Sequence, residues 1–130
     1  MTTTPDSAAN RILVIDDDPL VCESVKMILD PVGYEVTMAG SGRQALALLE
    51  TGKFDLILVD YSMPRMRGDE LAVIVKQLAP GLPVIIMTAY AEMLECSLTP
   101  VVGVAHVLEK PFLAGELRET IARFLPGRKS

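Results

Sequence analysis

The sequence predicts an α/β fold: one parallel sheet of five strands with helices on both faces. Three observations carry that prediction. Short, β-branched-rich apolar runs alternate with amphipathic stretches along the chain, strand then helix, five times over. The runs are nearly continuous in apolar character, as strands covered on both faces are. With 130 residues, half of them apolar, the chain is long enough to close a single core.

The elements follow in order. Residues 1–10, MTTTPDSAAN, have neither a basic region nor an apolar segment, so they read as a disordered tail and not as a secretory signal. The first strand is expected over Arg11–Asp16. Asp18 before Pro19 reads as an N-cap with proline at the first helical position, and Val21, Val25, Ile28 and Val32 then recur at helical spacing. A second strand is expected over Tyr34–Met38. In the GSGRQA stretch that follows, Ser41 is expected to cap a helix with Ala45, Leu46, Leu48 and Leu49 on its apolar side. Gly40, Gly42 and Ala45 also fit a dinucleotide-binding fingerprint, with Asp60 about twenty residues on. That motif belongs after a first strand, however, and half of such a fold is missing. The third strand is expected over Asp55–Asp60, followed by a helix with Leu71, Ile74, Val75 and Leu78 on its apolar face. Then come a strand over Pro83–Thr88 and a helix from Ala91 to about Thr99, closed off by Pro100. A fifth strand over Val104–Leu108 and a helix built on Leu117, Ile121 and Leu125 complete one domain over residues 11–126, leaving 127–130 as a polar tail. Chain chirality makes the crossovers right-handed.

Composition excludes several function classes. A net charge of −5 and a pI near 4.8 argue against electrostatic binding to nucleic acid or anionic lipid. No apolar run reaches the ~18 residues a membrane span needs, so a cytoplasmic location is expected. Cys22 and Cys96 read as free thiols. His106 is the single histidine, which removes His-based metal sites and weakens any triad.

The stretch ILVIDDDPLV poses the functional question, because three adjacent carboxylates close an apolar strand. In a parallel sheet every strand ends on one edge, and ligands bind outside those carboxyl ends. That edge collects Asp16 and Asp17 from strand one, Asp60 from strand three, Thr88 from strand four and Lys110 after strand five. With Asp18 set aside as a cap, three carboxylates converge. They are unstable together unless a cation or a shared proton offsets them. Hard oxygen ligands without histidine or thiolate suit Mg²⁺. In LEKPF, Pro111 stiffens the step after Lys110 and is a candidate for a cis bond. A cation, an ammonium and a hydroxyl around one free carboxylate describe a place where phosphate is transferred to aspartate.

With those residues in hand, the chain resembles the receiver domain of two-component response regulators, of the chemotaxis-regulator type. ILVIDDDP, DLILVDYSMPRMRG, VIIMTAYAE and VLEKPF match in order and spacing, from about Arg11 to Leu125. The resemblance implies a flavodoxin-like, doubly wound (βα)5 fold with strand order 2-1-3-4-5. It implies that Asp60 is the phosphoacceptor, and that Asp16, Asp17, Asp60 and the backbone carbonyl of Ser62 hold Mg²⁺, with Mn²⁺ as an alternative. Thr88, Ala89 and Lys110 would contact the phosphoryl group. The implied partners are a histidine kinase or histidine phosphotransfer protein and a downstream protein. A homodimer would use the face formed by the 91–99 helix, strand five and the last helix.

Two positions depart from the family pattern. Val107 stands where the family carries an aromatic switch residue, and Met66–Arg67–Gly68 replaces Met-Asp-Gly in a surface turn. The chain would be no enzyme beyond its own phosphorylation and slow dephosphorylation. Other readings are a receiver fragment of a hybrid histidine kinase or a docking-only receiver. More remote is a haloacid-dehalogenase-like phosphohydrolase, since Asp16–Asp17–Asp18–Pro19–Leu20 puts leucine where that motif needs Thr or Val.

Overall fold

The computed structural model describes residues 10–89 and 104–125. Tyr90, the expected 91–99 helix, Cys96 and most of both expected tails lie outside the described residues. The strands are β1 (Asn10–Ile15), β2 (Tyr34–Ala39), β3 (Leu56–Asp60), β4 (Val84–Thr88) and β5 (Val104–Glu109). The helices are α1 (Pro19–Leu29), α2 (Gly42–Thr51), α3 (Gly68–Leu78) and α4 (Ala114–Phe124), with a short 3₁₀ turn at Asp30–Val32. Every strand boundary lies within one residue of its expected place; β1 begins at Asn10, which the sequence had left in the tail.

All four strand pairs are parallel and the order is β2-β1-β3-β4-β5, as the resemblance implied. Because side chains alternate across a strand, the sheet supplies two cores. Ile12, Val14, Leu56, Leu58, Ile85 and Met87 meet Val25, Leu29, Leu117 and Ile121 of α1 and α4 on one face. Leu13, Ile15, Ile57, Val59 and Ile86 meet Ala45, Leu71, Ala72 and Val75 of α2 and α3 on the other. Both faces are thus covered, which is why the strands read as unbroken apolar runs.

The caps follow the sequence. Asp18 Oδ1 accepts from the Leu20 amide at 3.0 Å with Pro19 opening α1, and Ser41 Oγ accepts from the Gln44 amide at 3.1 Å. Two expectations on helix faces need correction. Val32 does not continue α1. Pro31 lacks the amide that another helical turn requires, so the chain tightens into a 3₁₀ turn and leaves Val32 exposed. Leu78, expected on the apolar face of α3, is the last residue of that helix and is 63% exposed, while Leu71 and Val75 carry the buried face.

An acidic pocket bridged by one lysine

Strand register places the carboxylates. Ile15 of β1 lies beside Val59 of β3, so the next residues, Asp16 and Asp60, emerge side by side at the carboxyl edge. Asp16 is anchored there by its amide, which donates to the Ala39 carbonyl at 3.1 Å. Asp60 aligns with Met87 of β4, and Thr88 with Glu109 of β5, which brings Thr88 and Lys110 to the same edge. The Lys110 amide donates to the Thr88 carbonyl at 2.8 Å.

Asp16 and Asp60 are buried, at 2% and 7% exposure, and Asp17 is exposed at the rim. One carboxylate oxygen from each of the three lies within 4.8 Å of the others. Lys110 Nζ bridges two of them, 3.0 Å from Asp16 Oδ2 and 3.1 Å from Asp60 Oδ1. The other Asp16 oxygen accepts from the Asp18 amide at 2.9 Å, so Asp18 supports the pocket as well as capping α1. Burial pushes the Asp16 carboxyl above its ordinary range, and the charge of Asp60 adds to the push. The Asp18 amide and Lys110 oppose it. Burial alone would lower the Lys110 pKa, but hydrogen bonds to Asp16 and Asp60 outweigh it and hold the ammonium above the usual lysine value. Cys22 lies beneath the pocket with its thiol 3.5 Å from the Asp16 carbonyl oxygen. Burial, then the charge of Asp16, push it up to about 11, so it is an inert core thiol.

Thr88 is buried at the end of β4, and Ala89 follows it, exposed. Ser62 is exposed on the turn after Tyr61. The Lys110–Pro111 peptide is cis. Val107 is half-buried, paired with Ile86 in the sheet and packed against the α2/α3-side core.

Gly68 has a role that the sequence reading did not assign. It is buried, its amide donates to the Tyr61 carbonyl at 3.0 Å, and an added Cβ would sit 2.8 Å from the Asp60 carbonyl oxygen. The backbone of the central carboxylate therefore requires a glycine here. The signal was present as the last letter of MPRMRG. Arg67 before it is exposed, as expected, and its guanidinium pairs with Asp69 at 3.1 Å and lies 5.7 Å from the centre of the Tyr61 ring. Arginine has no acceptor to offer as an N-cap. The α3 terminus is instead served by Glu70, which accepts from the Arg67 amide at 2.9 Å.

Comparison with known proteins gives one answer. The response regulator receiver domain family matches residues 12–122. The transcriptional regulatory protein ZraR of Escherichia coli (strain K12) is 38% identical over 114 residues, which is 88% of this chain and 26% of that protein. The chain thus spans only about a quarter of that relative's length. Among solved structures, the chemotaxis protein CheY4 of Vibrio cholerae has a TM-score of 0.84 at 32% identity, covering 91% of this chain and all of that one. The response regulator TrrA of Thermotoga maritima, solved in complex with Mg²⁺-BeF, has a TM-score of 0.81 at 32% identity, covering 89% of this chain and 99% of that one. Five parallel strands in the order 2-1-3-4-5, with an acidic pocket at their carboxyl ends, place this chain in the receiver domain family of two-component response regulators.

Proposed function

We propose that the chain is a phosphoacceptor switch. Asp60 takes a phosphoryl group from the phosphohistidine of a histidine kinase or histidine phosphotransfer protein, and the phosphorylated form alters contacts with a downstream protein. The observation that carries this reading is the Lys110 ammonium bound to Asp16 and Asp60 together, which leaves a carboxylate, a fixed cation and two further acidic groups in one pocket.

The donor set fits Mg²⁺, since three carboxylate oxygens lie within 4.8 Å with no histidine or thiolate among the group. Asp16, Asp17, Asp60 and the Ser62 backbone carbonyl would hold the ion, and Mn²⁺ would suit the same ligands. Bound there, the ion would supply positive charge against the phosphoryl oxygens.

The protein's own groups do the rest. An Asp60 carboxylate oxygen attacks phosphorus in line as the P–N bond to the donor imidazole breaks. The electron pair passes to the ring nitrogen, which then takes a proton. Lys110 turns from Asp60 to the new phosphoryl oxygens, and Thr88 donates its hydroxyl to one of them beside Ala89. Water later attacks phosphorus, the P–O bond to Asp60 breaks, and the carboxylate and inorganic phosphate return. The chain is thus a stoichiometric acceptor and not an enzyme acting on other molecules. A histidine kinase's phosphodonor would place this exchange in the cytoplasm; among the described residues no helix is long and apolar enough to cross a membrane.

Intact-mass spectrometry after treatment with acetyl phosphate and Mg²⁺ tests the reading. One added phosphate is expected on the wild-type protein and none on Asp60→Asn. Undiminished phosphate on that variant would overturn the assignment.

A further inference from the structure

The GSGRQA stretch, which looks like a nucleotide fingerprint and is not one, has a structural explanation with a functional consequence. Gly42 is the first residue of α2 and is buried. Its surroundings are rigid: Ser41 caps the Gln44 amide, and the Gln44 side chain in return accepts from the Gly40 amide at 2.8 Å. Against this fixed turn rests Met66, from the loop between β3 and α3. A Cβ on Gly42 would lie 2.6 Å from Met66 Sδ and 3.3 Å from both its Cβ and Cγ. The thioether could swing aside, but the Met66 Cβ moves only with its backbone.

That backbone belongs to the loop that carries Ser62. The loop is closed at its base, where the Tyr61 amide meets the Met87 carbonyl at 2.9 Å and the Gly68 amide meets the Tyr61 carbonyl at 3.0 Å. Met63 is buried in the core beneath it. At its far side the Met66 amide bonds back to the Pro64 carbonyl at 2.8 Å, with Arg65 between them at φ 74°, in the left-handed region. The turn is therefore tight, and moving Met66 moves its neighbours with it.

We infer that Met66, seated on Gly42, is a positioning residue that sets the β3–α3 loop, and with it the Ser62 carbonyl, at the distance from Asp16 and Asp60 that the metal requires. The inference rests on the proposed Mg²⁺ site and adds a determinant from α2, an element that supplies no ligand. Contacts that orient ligands from behind govern metal affinity through geometry, and losing one costs roughly ten- to a hundredfold.

The test uses Gly42→Ala, Met66→Ala and the double variant in the full chain. Mg²⁺ alone is titrated calorimetrically, and ¹H–¹⁵N spectra of the metal-free proteins are recorded alongside. Gly42→Ala is expected to shift the amides of Ser62–Gly68 and to weaken Mg²⁺ binding roughly tenfold. Met66→Ala, which introduces no clash, is expected to weaken binding through loss of the seat, and it carries the test if Gly42→Ala does not fold. In the double variant the new methyl no longer meets Sδ or Cγ, and only the 3.3 Å contact with the retained Cβ of residue 66 remains, so the losses are less than additive and the loop amides move part of the way back toward their wild-type positions. Unchanged Mg²⁺ affinity in a folded single variant, or strictly additive losses, would overturn the inference while leaving the functional reading intact. Wild-type protein that binds no Mg²⁺ would overturn the functional reading, and this inference with it.

Discussion

The ammonium of Lys110 lies 3.1 Å from Oδ1 of Asp60, although the two residues are fifty positions apart and belong to different strands' ends. The same nitrogen reaches Asp16 Oδ2 at 3.0 Å, so one fixed cation partly neutralises a pocket that would otherwise gather three carboxylates. Lys110 and the proposed divalent ion would therefore compete for the same oxygens.

Replacing Lys110 with methionine should separate two effects that the wild type combines. Losing the competing cation is worth about 1 kcal/mol for a partly exposed pair, so Mg²⁺ affinity should rise roughly fivefold. Phosphorylation by acetyl phosphate should slow, because the ammonium no longer meets the phosphoryl oxygens. Weaker Mg²⁺ binding in titration calorimetry would show that Lys110 organises the pocket without competing for it.

The carboxylates were legible in the sequence because a parallel sheet sends every strand end to one edge, so Asp16, Asp60, Thr88 and Lys110 could be gathered from strand periodicity alone. Which oxygens Lys110 would hold was not legible, since register and side-chain direction decide that. Gly68 closes the MPRMRG motif, but its reason is a backbone approach to Asp60 that no periodicity encodes. Val32 was misplaced for a local reason: the helical pattern runs on through a proline that the backbone cannot accommodate.

Gly68→Ala should destabilise the fold and disturb the site together. A Cβ 2.8 Å from the Asp60 carbonyl oxygen and 3.1 Å from Tyr61 Cα meets backbone, which cannot rotate away. Overpacking of this kind costs about 1–3 kcal/mol. Urea denaturation should show a lower midpoint with an unchanged slope, and phosphorylation of Asp60 should slow. A wild-type midpoint would mean that the β3–α3 loop yields more easily than this contact implies.

The pH dependence of stability should carry the signature of Asp16. Burial first, and then the charge of Asp60, raise its carboxyl above the ordinary value of 3.8. Above that pH the unfolded chain has released this proton while the folded chain still holds it. The contribution to stability is therefore full below 3.8 and is lost as pH rises through the folded value. Measured against Asp16→Asn without metal, wild-type stability should fall as pH is raised from 3.8 toward neutral. Excess Mg²⁺ should reverse the trend, since it binds the ionised form. A flat difference between the two proteins in metal-free urea titrations would contradict the buried environment of Asp16.

Val107 bears on how the proposed phosphoryl signal would leave the site. In the family's usual scheme Thr88 moves toward the phosphoryl group, and an aromatic ring on strand five fills the space it vacates. Here that position pairs with Ile86 and packs, half-buried, against the core between the sheet and α2/α3. Valine has no ring to sweep between exposed and buried positions, and β-branching makes its single torsion stiff. Thr88 is buried, and its carbonyl is tied to the Lys110 amide at 2.8 Å, so strand four and the Lys110 loop are joined by backbone. Motion of Thr88 and Lys110 toward the phosphoryl group should accordingly pass into the chain after Ala89 and not into strand five. Chemical shifts with and without beryllofluoride and Mg²⁺ measure this. Large changes over residues 89–99, with the Val107 methyl signals nearly still, are the expected outcome. Changes confined to residues touching the ligand would show that phosphorylation barely switches this chain. A large displacement of the Val107 methyls would instead restore strand five as the carrier of the signal.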